Sequence, residues 1–219
     1  MIEIFLSFSQ KDYLTAILIF FGAIIYSSVG HGGASSYIAI MSLLGTPTNF
    51  IKPIVKNILD LLIKFTKIHI KNQVDSGANL IQIFDSWAGL LEKNDYDKYI
   101  YKPTLELVDY VKTLKVPVIC FPRGIKDYKN YCEIIKPNAV SIDYDVDPHE
   151  IQKLIKIPIQ GGLDPKILLT DKDNLKKETN KYLEIFKDHP YIFNLGHGVL
   201  PETNPDMVEY LVNIVKDYK

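Results

Sequence analysis

A chain of 219 residues with a formal net charge of −1 and 47% hydrophobic residues can bury one good core or carry two small ones. The near-balance of charge, with no basic stripe interleaved with aromatics, disfavours nucleic acid as a partner. Cys120 and Cys132 match no metal-ligand spacing, so no metal site is expected, and they read as plain cytosolic thiols rather than an isolated bridge.

Charge is distributed unevenly along the chain. From Tyr13 to Ile51 there is no Asp, Glu, Lys or Arg, whereas from Lys52 onward charges recur every few residues. This predicts two unlike pieces, residues 1–52 and 53–219. Tyr13 to Val29 is a run of 17 uncharged, mostly apolar residues, at the lower edge of what spans a hydrocarbon core; a buried helix is the competing reading. Glu3, Lys11 and Asp12 ahead of it are not net positive, which argues against a signal peptide. A glycine-rich break and a second apolar run from Tyr37 to Leu44 follow, so one or two apolar membrane-type helices are expected. The stretch YSSVGHGGASSYIAIMSLLG resembles the start of the TauE/SafE family of sulfite and organo-anion permeases, over about the first 50 residues only. His31 in it reads as a remnant of a pathway motif. If Tyr13–Val29 inserts, the lysines after Lys52 hold the rest of the chain in the cytoplasm.

From Ile54 the pattern becomes amphipathic. Ile58, Leu61, Leu62, Phe65 and Ile68 share one helical face, and the helix is expected to end before Ser76 and Gly77. Candidate strands follow at LIQIF from Leu80, VPVICF from Val116, AVSIDY from Ala139, IPIQ from Ile157 and YIFNL from Tyr191. Between them lie helix signals: the stripe Leu105, Val108, Val111 and Leu114, then Asp147-Pro148, Asp164-Pro165 and Asn204-Pro205. In these three an N-cap residue is followed by proline at the first helical position.

Buried strands alternating with helices mean βα units and a parallel sheet. Polar and glycine residues gather just after each strand: Asp85 and Ser86, Arg123 and Gly124, Asp143 and Asp145, Gly161 and Gly162, Gly196 and His197. The C-terminal ends of the strands therefore carry the site, in a barrel or in a doubly wound sheet. No glycine-rich phosphate loop follows any strand, which excludes the usual nucleotide motifs.

GANLIQIFDSWAG at Gly77–Gly89 and FNLGHGVLPETNPDMVEYL at Phe193–Leu211, with VICFPRG and IQGGLDPKIL between them, resemble uroporphyrinogen decarboxylases in sequence and order. The resemblance runs from about Ile54 to Lys219 and departs from the family at Gly162, where asparagine is expected. It implies a partial parallel (β/α)8 TIM-type barrel, about five of eight units, and the carboxy-lyase of heme biosynthesis that converts uroporphyrinogen to coproporphyrinogen without a cofactor. It also implies a tetrapyrrole partner and a homodimer. Carried over by position, Ser86 and His197 line the substrate cleft and bind its carboxylates. Arg123, the single arginine among 25 basic residues, either joins them as an anchor or forms a solvent salt bridge. The alternatives are that Ser86 caps the next helix and His197 bonds to loop backbone. No catalytic residue is assigned, because nothing here matches the family's aspartate, its arginine-rich opening or its cleft tyrosine. The chain is therefore expected to be inactive alone. Two other readings stay open: a permease fragment with a passive tail, and a non-catalytic tetrapyrrole-binding module.

Overall fold

The computed structural model describes residues 48–218. The apolar runs Tyr13–Val29 and Tyr37–Leu44, His31 and the permease-like stretch lie outside the described residues. Among the described residues no helix is long and apolar enough to cross a membrane.

Helix α1 covers Thr48–Asp75, running through the Lys52–Pro53 junction at which the sequence changes character. It ends where expected, at Gly77, whose φ of +103° reverses the chain and whose N–H bonds to the Val74 carbonyl. The apolar face differs from the expected one. Leu61, Phe65 and Ile68 are 57%, 59% and 49% exposed, while Ile63 and Ile70 are buried. The helix carries two apolar stripes, and the one through Ile63, Lys67 and Ile70 packs on helix α3 (Lys102–Thr113). Lys67 Nζ lies 2.7 Å from Glu106 Oε1 and 5.6 Å above the Tyr110 ring, closing that contact from the outside.

Strand β1 (Ile81–Asp85) is followed by a 3₁₀ turn at Ala88–Leu90 and by helix α2 (Lys93–Tyr96). Helix α2 passes into α3 through a π turn at Asp97–Tyr101. The wide turn has a local cause. Pro103 has no N–H to give to the preceding turn, and the Lys102 N–H reaches back to the Asp97 carbonyl instead. Next come β2 (Val118–Pro122), α4 (Tyr128–Ile135), β3 (Ala139–Ile142), α5 (Pro148–Leu154) and β4 (Ile159–Gly161). A 3₁₀ segment (Pro165–Leu169), α6 (Lys172–Phe186), β5 (Tyr191–Ile192) and α7 (Pro205–Asp217) complete the order. The three proline starts are capped as read, by Asp147, Asp164 and Asn204, although the second opens a 3₁₀ turn rather than an α-helix. Asp127 and Asp171 cap α4 and α6 in the same way, without proline.

All four strand pairings are parallel, and the order is β1-β2-β3-β4-β5. A doubly wound sheet reverses its strand order at a switch point, whereas here each strand lies beside the next in sequence. The strand register separates two faces. Ile83, Cys120, Val140, Ile159 and Tyr191 form one row, and they pack with the helices in the main hydrophobic core. The opposite face carries Gln82, Phe84, Ile119, Phe121, Ala139, Ser141 and Gln160. On it Gln160 Nε2 donates to Gln82 Oε1 at 3.2 Å and to Ser141 Oγ at 3.4 Å. Strands β1 and β4 are three spacings apart, about 14 Å in a flat sheet at ~4.8 Å each. Two glutamine side chains meet across that gap only if the sheet curls around this face. The five-stranded parallel sheet thus fits part of a TIM-type barrel, with the Gln82–Gln160 side as its interior.

Cys120 is buried on the helix side and Cys132 is half-buried in α4, both as free thiols. Burial pushes each thiol from 9.0 up to about 12, with Glu133 adding to the effect at Cys132. A raised thiol pKa leaves less thiolate at any lower pH. Alkylation of Cys132 by iodoacetamide at pH 8 is therefore expected to run about a thousandfold slower than that of an unperturbed thiol, accelerating only in strong alkali. Timed mass spectrometry of the alkylated chain checks this. Replacing Gln160 by Leu should cost about 1–3 kcal/mol in urea unfolding, because Gln82 and Ser141 lose their shared donor in a buried setting.

Candidate functional site

Alternation along the strands decides what reaches the C-terminal rim. Gln82 pairs with Ile119 and Ile119 with Ala139, on the inner face. Continuing that register by four residues on each strand brings Ser86, Arg123 and Asp143 into one inward-facing row. The pairing persists that far, since the Arg123 N–H donates to the Asp85 carbonyl at 3.0 Å. Asp85, one residue before Ser86, is buried and takes the other parity, toward the helix layer.

Ser86 is 8% exposed, and its Oγ has no hydrogen-bond partner. It does not cap the next helix: the cap position of the 3₁₀ turn is Trp87, and no side-chain capping bond is made there. The neighbouring Trp87 Nε1 is likewise buried without a partner. The signal for Trp87 lay in the DSWAG run, but nothing in the sequence shows that an indole N–H is left unmatched.

Arg123 forms an ion pair that is largely withdrawn from solvent. Its Nε lies 2.8 Å from Asp143 Oδ2, with the Asp143 side chain 6% exposed. The other Asp143 oxygen accepts from the Tyr144 N–H at 2.8 Å. The guanidinium is thus fixed through one nitrogen, and its two Nη groups make no hydrogen bond to the described residues. An arginine held through Nε keeps its forked end for an outside acceptor. Tyr128, at the start of α4, has its hydroxyl raised well above the ordinary value, chiefly by burial, and stays protonated beside this pair.

His197 lies two residues beyond Leu195, whose bridge to Leu163 carries the β4–β5 pairing past the strands. It is half-buried and already engaged with a neighbour. Its position is set by Gly196, whose N–H donates to the Leu163 carbonyl at 2.7 Å. A Cβ on Gly196 would sit 2.4 Å from the Tyr144 nitrogen, and one on Gly89 would sit 2.4 Å from the Gly124 carbonyl oxygen. Two backbone seams result. The loop bearing Ser86 rests on the Arg123–Gly124 turn, and the loop bearing His197 rests on the Asp143–Tyr144 turn. The Arg123–Asp143 pair links one seam to the other. Where asparagine was expected, Gly162 has φ of +102°, beyond the left-handed region that asparagine tolerates, and Tyr182 Oη donates to its carbonyl at 2.8 Å.

Among the described residues no group of three or more His, Cys, Asp or Glu is placed to hold a metal ion. The groups at the rim with hydrogen-bonding capacity left over are donors, a hydroxyl, an indole N–H and the Nη end of a guanidinium, a set whose chemistry suits an acceptor-rich group. Replacing Gly196 by Ala is expected to destabilise the chain by about 1–3 kcal/mol, through overpacking against the Tyr144 backbone, and to displace the His197 loop. Urea unfolding measures the first effect. The shift of the His197 ring resonances reports the second.

Comparison with known proteins agrees with the sequence motifs. The uroporphyrinogen decarboxylase family model matches residues 48–218. A uroporphyrinogen decarboxylase from Rickettsia bellii is 40% identical over 173 residues, covering 77% of this chain and 51% of its own length. One from a Wolbachia of Drosophila simulans is 40% identical over 173 residues, covering 78% and 51%. The chain spans about half the length of the curated relatives it matches. A thiamine phosphate pyrophosphorylase from Pyrococcus furiosus overlays with a TM-score of 0.32 at 12% identity, over 69% of this chain and 89% of that one, a likeness too slight to argue from. By the family model's extent and these identities, the chain belongs to the uroporphyrinogen decarboxylase family.

Proposed function

We propose that the chain forms the carboxylate-holding side of a uroporphyrinogen decarboxylase site, in which Ser86, Arg123 and His197 bind acetate or propionate arms of the tetrapyrrole. The observation that carries this reading is the row of Ser86 and Arg123 on the inner rim, with Asp143 fixing the guanidinium. The proposed reaction is the cofactor-free conversion of uroporphyrinogen to coproporphyrinogen. Protonation of a pyrrole ring carbon draws in the electron pair of the breaking C–C bond and carbon dioxide leaves. The resulting exocyclic methylene takes up a proton to become the methyl group, and the ring gives back its added proton, so that one proton is consumed for each carbon dioxide released. That chemistry needs a group beside the ring to stabilise the cation, and losing one such preorganised group typically costs about a hundredfold to a thousandfold in rate. The rim residues present here hold and orient arms, and none of them matches the family's catalytic aspartate.

A second reading follows from the span of the match. As a 219-residue polypeptide with five strands, the chain binds the tetrapyrrole without turning it over. The test is a coproporphyrinogen assay on the purified polypeptide and on its His197→Ala variant, together with equilibrium binding of uroporphyrin. Binding that weakens about tenfold in the variant, with no turnover, is the expected outcome. His197-dependent turnover by this polypeptide alone would show that the site is complete within it. The proposal extends to a cytoplasmic location, with a tether if Tyr13–Val29 inserts, and to a homodimer. Recovery in a salt-washed soluble fraction without detergent would remove the tether, and light scattering decides the dimer.

A further inference from the structure

We infer that Trp87 is a carboxylate-binding residue, its indole N–H donating beside Ser86 to one acid arm of the ligand. This rests on the reading of the rim as a carboxylate site, and it adds a donor that the motif comparison does not assign. Ser86 Oγ and Trp87 Nε1 belong to consecutive residues, and both are buried without a hydrogen-bond partner. A buried donor left unmatched is destabilising, so two in succession at the end of one strand are a standing penalty that a ligand relieves. The indole nitrogen can only donate, and a serine hydroxyl can do so, which selects an acceptor-only group with two oxygens. The Arg123 guanidinium, in the same row as Ser86, supplies the positive charge that makes that group a carboxylate rather than a neutral carbonyl.

The backbone is set for this task. Trp87 has φ of −119° and ψ of 4°, in the sparsely populated bridge region, and its carbonyl accepts from the Leu90 N–H at 3.0 Å. Fully buried Ala88 and the Gly89–Gly124 seam hold the following turn against the Arg123 loop. The pair of donors therefore sits on a turn fixed from both sides.

Trp87 is the single tryptophan of the chain, so one indole N–H resonance reports on the site alone. The experiment titrates the ¹⁵N-labelled 219-residue chain with tricarballylate, a colourless tricarboxylate, and follows that resonance. In parallel it measures affinities of wild type, Trp87→Phe, Ser86→Ala and His197→Ala for coproporphyrin III and for its tetramethyl ester. The expected result is a saturable downfield shift of the indole proton and a loss of about tenfold in coproporphyrin affinity for Trp87→Phe, with ester binding unchanged. An unmoved indole resonance, with Trp87→Phe binding like wild type while Ser86→Ala and His197→Ala bind more weakly, overturns the role of Trp87 and leaves the rim reading standing. Equal losses for acid and ester in Trp87→Phe overturn it too, since the ring would then act as a packing platform. Wild type failing to bind coproporphyrin overturns the rim reading itself. If Trp87→Phe does not fold, the wild-type resonance still decides.

Discussion

The hydrogen bond from Gln160 to Gln82 is the constraint on which the rest of this architecture depends. It joins strands β1 and β4 across two intervening strands, which a flat parallel sheet does not allow. Once the sheet curls, every strand has an inside and an outside with different chemistry. The outside is the row Ile83, Cys120, Val140, Ile159, Tyr191, covered by helices and closed at one end by Phe186 stacked on Tyr191 at 4.2 Å. The inside mixes apolar residues with glutamine and serine, and its polar members satisfy one another. Parity then carries the inside pattern to the rim, so that residues two steps beyond the inner strand positions converge without needing long loops.

That convergence explains which parts of the structure were legible in the sequence. The five strands were visible as short apolar runs, and the residues just after them stood out because polar and glycine residues interrupt the runs at the same phase. Helix α6 was not visible. Its surface is nearly all charge, and its buried positions, Leu175, Thr179, Tyr182, Leu183 and Phe186, include a threonine and a tyrosine that blur the stripe. Helix α4 escaped for a similar reason: it is eight residues long and buries two tyrosines beside one isoleucine. On α1 the most apolar-looking stripe proved to be the exposed one, because periodicity finds a face and tertiary contact decides which face is covered. The inner glutamines were written in LIQIF and IPIQ, yet a polar residue within a buried strand does not reveal its partner three strands away.

A single arginine raises the question of how one guanidinium is spent in a chain with 24 lysines. The other ion pairs among the described residues are lysine pairs on the surface, and exposed pairs of that kind contribute little to stability. Among the ion pairs between described residues, that of Arg123 is the one whose carboxylate is nearly withdrawn from solvent. A lysine there would meet Asp143 as a point charge, without a planar fork of donors to spare. The guanidinium satisfies Asp143 through Nε and retains a planar pair of donors, so that one residue neutralises a buried acid and still has donors to spare.

The same pair has a mechanical consequence. Ser86 and His197 come from opposite ends of the sheet, β1 and β5. Each loop is pressed onto backbone, at Gly124 and at Tyr144, through a glycine that admits the contact. Those two turns belong to β2 and β3, and the Arg123–Asp143 bond spans them. Relative positions of the loops therefore depend on a backbone seam, a charged hydrogen bond and a second seam in series. The Arg123–Asp143 bond joins side chains and takes no part in the strand ladder, so its loss would leave strand pairing intact while freeing one turn from the other. The separation of the rim side chains in this chain is therefore set by these contacts at the rim rather than in the core.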